Sequence, residues 1–239
     1  MDESPILTER RDGYRIITLN RPKRLNAFTI PMHQVLAGAV ADAEQDKSCR
    51  ALLITGAGRA FSSGQDLNER VTADGDVVVP GEALEKYYNP LVLKLRSLPF
   101  PVVAAVPGIA AGAGLNIALA CDIVLAADDV TFEDTAHFHN GGIVPGDGIN
   151  VIYTLLLGIN RARYLMLTGQ VLNAQEAKDI GLVAELMPRE KLLPRAWELA
   201  RQLAKKNDML LRYTRAVLTH PLRKPLEEGL QYFLAMEAL

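Results

Sequence analysis

The sequence predicts an α/β fold with a helical C-terminal region. Three observations carry that prediction. Short β-branched runs alternate with amphipathic stretches through the first half of the chain. Gly-rich turns join them. From Ile149 onward nearly every periodic stretch has helical spacing. The composition is that of an ordinary globular protein, with 49% hydrophobic and 23% charged residues among 239. The net charge of −2 includes no long basic run, which argues against a nucleic-acid groove. The two cysteines, Cys49 and Cys121, lack metal-ligand spacing. A disulfide scaffold is thereby disfavoured, and a reducing cytoplasmic setting is expected. The N-terminal MDESPILTER has no apolar run and does not read as a secretory signal. The most apolar region, Val102 to Ala127, is broken by Pro107, Asn116 and Asp122, so it reads as core and not as a membrane span.

Tyr14 to Leu19 is β-branched and aromatic and predicts a strand. After the loop NRPKRLNAFT, Pro31 suits the first turn of a helix running to about Lys47. Its expected inward positions are Met32, Val35, Leu36, Ala39, Val40 and Ala43. Ala51 to Thr55 is a short apolar strand that leaves through the Gly/Ser-rich GAGRAFSSGQD. Val71 to Gly81 has no clear period and reads as a surface segment or lid. Glu82 to Ser97 predicts a second amphipathic helix, ended by Pro99 and Pro101. Val102 to Val106 is a strand, and PGIAAGAG turns it into a helix over Ala113 to Ala120. Short strands follow at Ile123 to Ala126 and Val130 to Phe132. Helices are then expected at Ile149 to Leu157, Arg161 to Leu167, Ala174 to Ile180, Lys191 to Lys205, Asp208 to Leu218, and from Leu226 to the end. A strand at Val183 to Leu186 interrupts them. Asn173 is a good N-cap for AQEAKDI and Gly181 a good stop.

The stretch TAHFHNGGIVPGDGIN, Thr135 to Asn150, concentrates the chemistry. It sets His137 and His139 before Asp147 in a run rich in Gly and Pro, a composition typical of a functional loop. An imidazole beside a carboxylate is a common general base. Two other segments could present backbone N–H groups to a developing oxyanion: the Gly-rich loop after Thr55, and the first turn of the helix at Ala113. His33 and His220 read as incidental. Arg21, Lys23 and Arg24 could hold a phosphate or simply form a solvated turn.

Four blocks together resemble the crotonase (enoyl-CoA hydratase/isomerase) superfamily: NRPKRLNAFT, AFSSGQDL, PGIAAGAGLNIALACDIVLAADDVTF, and GIVPGDG followed by LTGQVLNAQEAKDIGLVAE. The resemblance implies a crotonase-like spiral of ββα units over residues 1–188 and a C-terminal helical region for oligomerisation over 189–239. It further implies trimers or dimers of trimers. Matching the motifs residue by residue puts the two oxyanion donors at the N–H groups of Ser63 and Ala113.

The family's hydratases use two glutamates. Here the first position corresponds to Asn116, and the loop around Ala136 to Phe138 has no Glu. An amide exchanges no proton near neutral pH, which argues against the ordinary hydratase mechanism. AHFHNGGIVPGDG, LLPRAWELAR and the terminal MEAL resemble 6-oxocamphor hydrolase and related β-diketone hydrolases of this superfamily. That likeness implies a water activated by His137, or His139 in its place, oriented by Asp147. It adds Glu237 as a helper and Phe28 beside the substrate. A further active-site His of that subgroup has no counterpart, since Gly114 stands there. The expected reaction is retro-Claisen hydrolysis of a cyclic β-diketone to a keto acid, with no cofactor or metal and no nucleic-acid or membrane partner. The alternative is hydration or isomerisation of an acyl-CoA thioester, with CoA present only as part of the substrate.

Overall fold

The computed structural model describes residues 4–66, 68, 83–134 and 144–237. Antiparallel strands β1 (Ile6–Arg11) and β2 (Tyr14–Leu19) open the chain, followed by helix α1 (Ile30–Gln45). Thr29 caps α1 by accepting from the Met32 N–H. His33 lies on the buried face of α1, whereas Val35 is 43% exposed, contrary to the expected inward set. Next come β3 (Ala51–Gly56) and β4 (Ala60–Ser62). The predicted second helix is a π-turn at Leu84–Tyr88 leading into α2 (Asn89–Ser97). Then follow β5 (Val102–Val106), β6 (Ile109–Ala111), α3 (Ala113–Ala120), β7 (Ile123–Ala127) and β8 (Thr131–Glu133). The last third contains α4 (Ile149–Leu157), α5 (Ile159–Thr168), β9 (Leu172–Asn173), α6 (Ala174–Asp179), β10 (Glu185–Met187), α7 (Arg189–Ala204) and α8 (Asp208–Glu237). Asn173 and Glu176 form the reciprocal capping box expected of α6.

The strands form two sheets. The larger has the order β1-β2-β3-β5-β7-β10 and is parallel apart from its first pair. The smaller has the order β4-β6-β8-β9, with only β8 and β9 antiparallel. β3, buried along its whole length, reads as a continuous apolar run, as a strand covered on both faces must. α7 covers β2, β3, β5 and β7 with Leu192, Ala196, Ala200 and Leu203. α3 is buried on nearly every side, its one polar side chain being Asn116, and packs between the two sheets, α2 and α4. α8 differs from expectation. The sequence predicts a break after Leu218, but one helix runs through Pro221 and Pro225. Leu226 and Leu230 of this helix are buried, so tertiary packing outweighs the two lost backbone bonds.

Candidate active site

The site follows from the parallel register of the smaller sheet. β4 pairs with β6 through Ala60 and Ile109, and β6 with β8 through Ala110 and Phe132. Their loops therefore leave side by side at one edge, beyond the strand C-termini, where ligands of parallel sheets commonly bind. The loops begin at Ser63, Gly112 and Asp134.

The first loop is clamped from below by the NRPKRLNAF segment. Asn26, fully buried with φ +56°, donates to the Ala57 and Ala60 carbonyls at 2.9 Å and accepts from the Arg21 N–H. Arg21 reaches the Ala27 carbonyl and the Asp66 carboxylate, so it serves this loop. Lys23 and Arg24 are exposed. The Ser63 N–H donates to the Leu25 carbonyl at 3.0 Å. This corrects the expectation for Ser63: its N–H is already spent inside the fold and cannot meet a substrate oxygen. The Gly64 N–H is taken by Ser62 Oγ and the Asp66 N–H by the Phe28 carbonyl, while the Phe28 N–H donates to the Gly64 carbonyl. Gln65 lies between those two cross-bonds, so its own N–H points the opposite way. Among the described residues no acceptor meets it.

The second loop supplies a matching donor. Asn116 is the first residue of α3 whose N–H bonds back, to Gly112, and among the described residues the Ala113 N–H at the helix start meets no acceptor. Close packing holds the two loops together. A Cβ on Gly64, whose φ is +92°, would lie 2.9 Å from the Ala111 carbonyl oxygen and 3.5 Å from the Ala113 nitrogen. A Cβ on Gly114 would lie 2.6 Å from the Ser62 carbonyl oxygen, so no histidine could occupy that position without rebuilding β4. One turn beyond Ala113, fully buried Asn116 donates through Nδ2 to the Asp147 carbonyl at 2.8 Å. Its Oδ1 has no partner among the described residues. Asp147 is buried, and its Oδ1 accepts the Ile149 N–H at the start of α4. Tyr153, one turn further along α4, stays a neutral phenol: burial, then the charges of Asp134 and Asp147, push its pKa well above the ordinary value.

His33, which the sequence made incidental, stands behind the first loop. Its Nε2 is 3.0 Å from Gln65 Oε1. Phe28 stacks on it at 4.8 Å, and Tyr88 meets it edge-on at 5.7 Å. Burial lowers its pKa from 6.5 to about 4 against the opposing pull of the Gln65 bond, so the ring is neutral near pH 7. A helical position with apolar neighbours carries no signal for such a role; only the fold brings residues 33 and 65 together. Phe28 is itself fully enclosed by this packing. His137, His139 and the Val71 to Gly81 segment lie outside the described residues. Glu237 ends α8, and its side chain also lies outside them. No helix among the described residues is long and apolar enough to cross a membrane.

Residues 9–237 match the Enoyl-CoA hydratase/isomerase family. The chain is 42% identical over 200 residues to 1,2-epoxyphenylacetyl-CoA isomerase of Escherichia coli, covering 83% of this chain and 76% of that one. It is 37% identical to trans-2-decenoyl-[acyl-carrier-protein] isomerase of Streptococcus mutans, covering 80% and 73%. A crystal structure of an enoyl-CoA hydratase from Mycobacterium avium subsp. paratuberculosis superposes with a TM-score of 0.88 at 30% identity, covering 100% of this chain and 94% of that one. A monofunctional enoyl-CoA isomerase from M. smegmatis gives 0.77 at 33% identity, covering 92% and 94%. These likenesses overturn the expected β-diketone hydrolase and its retro-Claisen chemistry, since the relatives are named for reactions of thioesters. With its α/β crotonase fold and C-terminal helices, the chain belongs to the enoyl-CoA hydratase/isomerase family of the crotonase superfamily.

Proposed function

We propose that this enzyme isomerises an acyl-CoA thioester by moving a proton between two carbons of the acyl chain. The observation that carries the reading is the buried Asp147, whose backbone carbonyl takes the Asn116 amide one turn beyond the Ala113 donor. Among the described residues the N–H groups of Gln65 and Ala113 meet no acceptor, and Ala113 lies one helical turn before Asn116, which bonds to the Asp147 carbonyl. Hydration needs one group to deprotonate water and another to protonate carbon. An amide at position 116 can do neither. Isomerisation needs one base that takes a proton and returns it. Asp147 removes a proton from C2 of a 3-enoyl thioester, the saturated carbon between the carbonyl and the double bond. The electron pair moves onto the carbonyl oxygen, which the N–H groups of Gln65 and Ala113 hold as an enolate, aided by the α3 N-terminus. The same proton returns to a different carbon, so nothing is added or lost. Two relatives named as isomerases support this reading. We also infer that the chain works as a homotrimer or a dimer of trimers.

The test is a paired assay. A 3-enoyl-CoA should convert to the conjugated 2-enoyl-CoA, with rising thioester absorbance, faster than crotonyl-CoA loses its own absorbance by hydration. Asp147→Asn should lower isomerisation by roughly 10²–10⁴-fold, the usual worth of a positioned acid–base group. Faster hydration of crotonyl-CoA, or full activity in Asp147→Asn, would refute the reading.

A further inference from the structure

We propose that His33 is a positioning residue of the oxyanion site: it grips the side chain of Gln65 and thereby aims the Gln65 N–H at the thioester oxygen. This inference rests on the thioester reading above. His33 is 2% exposed, and its Nδ1 has no partner among the described residues. A bare lone pair is cheaper to bury than an N–H without an acceptor, so Nδ1 is unprotonated and the proton sits on Nε2. The Nε2–H therefore donates to Gln65 Oε1 at 3.0 Å.

The ring has no freedom to turn away. Phe28 lies flat against it, with 15° between the planes, and Tyr88 closes the edge. Phe28 also holds the same loop through its backbone, by the bonds to Gly64 and Asp66 that flank Gln65. Main-chain bonds thus fix the residues on either side of Gln65, and His33 fixes Gln65 itself. The cluster reaches the second donor as well, because the Tyr88 hydroxyl donates to the Ala113 carbonyl in a long bond of 3.4 Å. Burying an imidazole costs desolvation that an apolar ring of like size would avoid. A packing position would be better filled by Phe or Leu. The one thing the imidazole adds here is a directed bond to the residue that carries the oxyanion donor.

The experiment compares wild type with His33→Phe, which keeps the stacking ring and deletes the bond. Isotope-edited infrared spectra of bound crotonyl-CoA, labelled at the thioester carbonyl, read out hydrogen bonding to the oxygen directly. Wild type should shift the carbonyl stretch to lower frequency, and His33→Phe should recover part of that shift. Its kcat for a 3-enoyl-CoA should fall roughly tenfold to a hundredfold, as expected for a donor mis-aimed by under an ångström, with KM and Tm little changed. Gln65→Met should reproduce the loss, and the double variant should be no worse than either single one. If His33→Phe does not fold, Gln65→Met carries the same expectation, since its side chain is half-buried. A wild-type enzyme that leaves the carbonyl stretch unmoved overturns the thioester reading and this inference together. A full wild-type shift and kcat in both single variants overturns this inference alone.

Discussion

At the residue scale, the oxyanion loop shows why local sequence gives a neighbourhood and not an atom. The SSGQD segment announces exposed backbone donors through its glycine, and the first turn of α3 does the same. Which N–H is left over depends on partners far away in the chain. Leu25 takes that of Ser63 and Phe28 takes that of Asp66, so Gln65 holds the free one. His33 was illegible for the same reason. Its burial has a consequence that can be measured without substrate. The folded ring titrates near 4 and the unfolded ring near 6.5. Above both values neither state binds the proton, and stability is unaffected. As the pH falls between them the unfolded chain gains a proton that the folded chain refuses, so stability drops by on the order of 3 kcal/mol in all. Between about pH 7 and about pH 5, urea melts should show wild type losing about 2 kcal/mol more than His33→Phe. Equal losses would mean the folded imidazole is not shielded.

At the element scale, most of the order was legible. α3 and α4 have the predicted bounds, because each is a mostly apolar run that opens on a glycine, and α4 also closes on one. β4, β6 and β9 have three residues or fewer, too short for any period to register. Yet β4 and β6 set the site, since their parallel register brings the two donor loops together. α8 misled in the other direction. Proline predicts a stop, but this helix is tied down well before Pro221. Arg215 pairs with Asp122 at 2.7 Å and donates to the Arg96 carbonyl at 3.1 Å and the Leu95 carbonyl at 2.8 Å, at the C-terminal end of α2. Such a guanidinium satisfies the carbonyls that a helix end leaves unpaired. Arg215→Met removes the partner of a largely buried carboxylate and exposes those carbonyls to an apolar chain. Denaturant melts should show a loss of about 3–5 kcal/mol. A loss below about 1 kcal/mol would mean that α8 is held by its apolar contacts alone.

At the scale of the whole molecule, the four sequence blocks identified the family because they are the segments that build the donor edge and its supports. They could not choose the reaction. The subgroup likeness rested on short local strings around His137 and at the C-terminus, whereas the similarity to thioester enzymes extends over most of the chain. The surface carries a second message. Leu210, Tyr213 and Val217 form an apolar stripe at helical spacing on α8, each at least 68% exposed. Leu155, Ile159 and Leu167 add exposed apolar area on α4 and α5. A stripe of this kind is characteristic of a surface covered in an assembly. Sedimentation should give a mass three or six times the 26.1 kDa of the chain, and Tyr213→Asp with Val217→Asp should reduce it. A wild-type monomer would contradict the inferred assembly.

The central claim is that one carboxylate beside two backbone donors relocates a proton within an acyl thioester and adds nothing to it. Mass spectrometry of the thioester recovered after turnover of a 3-enoyl-CoA tests that claim most directly. The account predicts a product of unchanged mass with its double bond moved, formed by wild type and lost in Asp147→Asn. A product heavier by one water would contradict it.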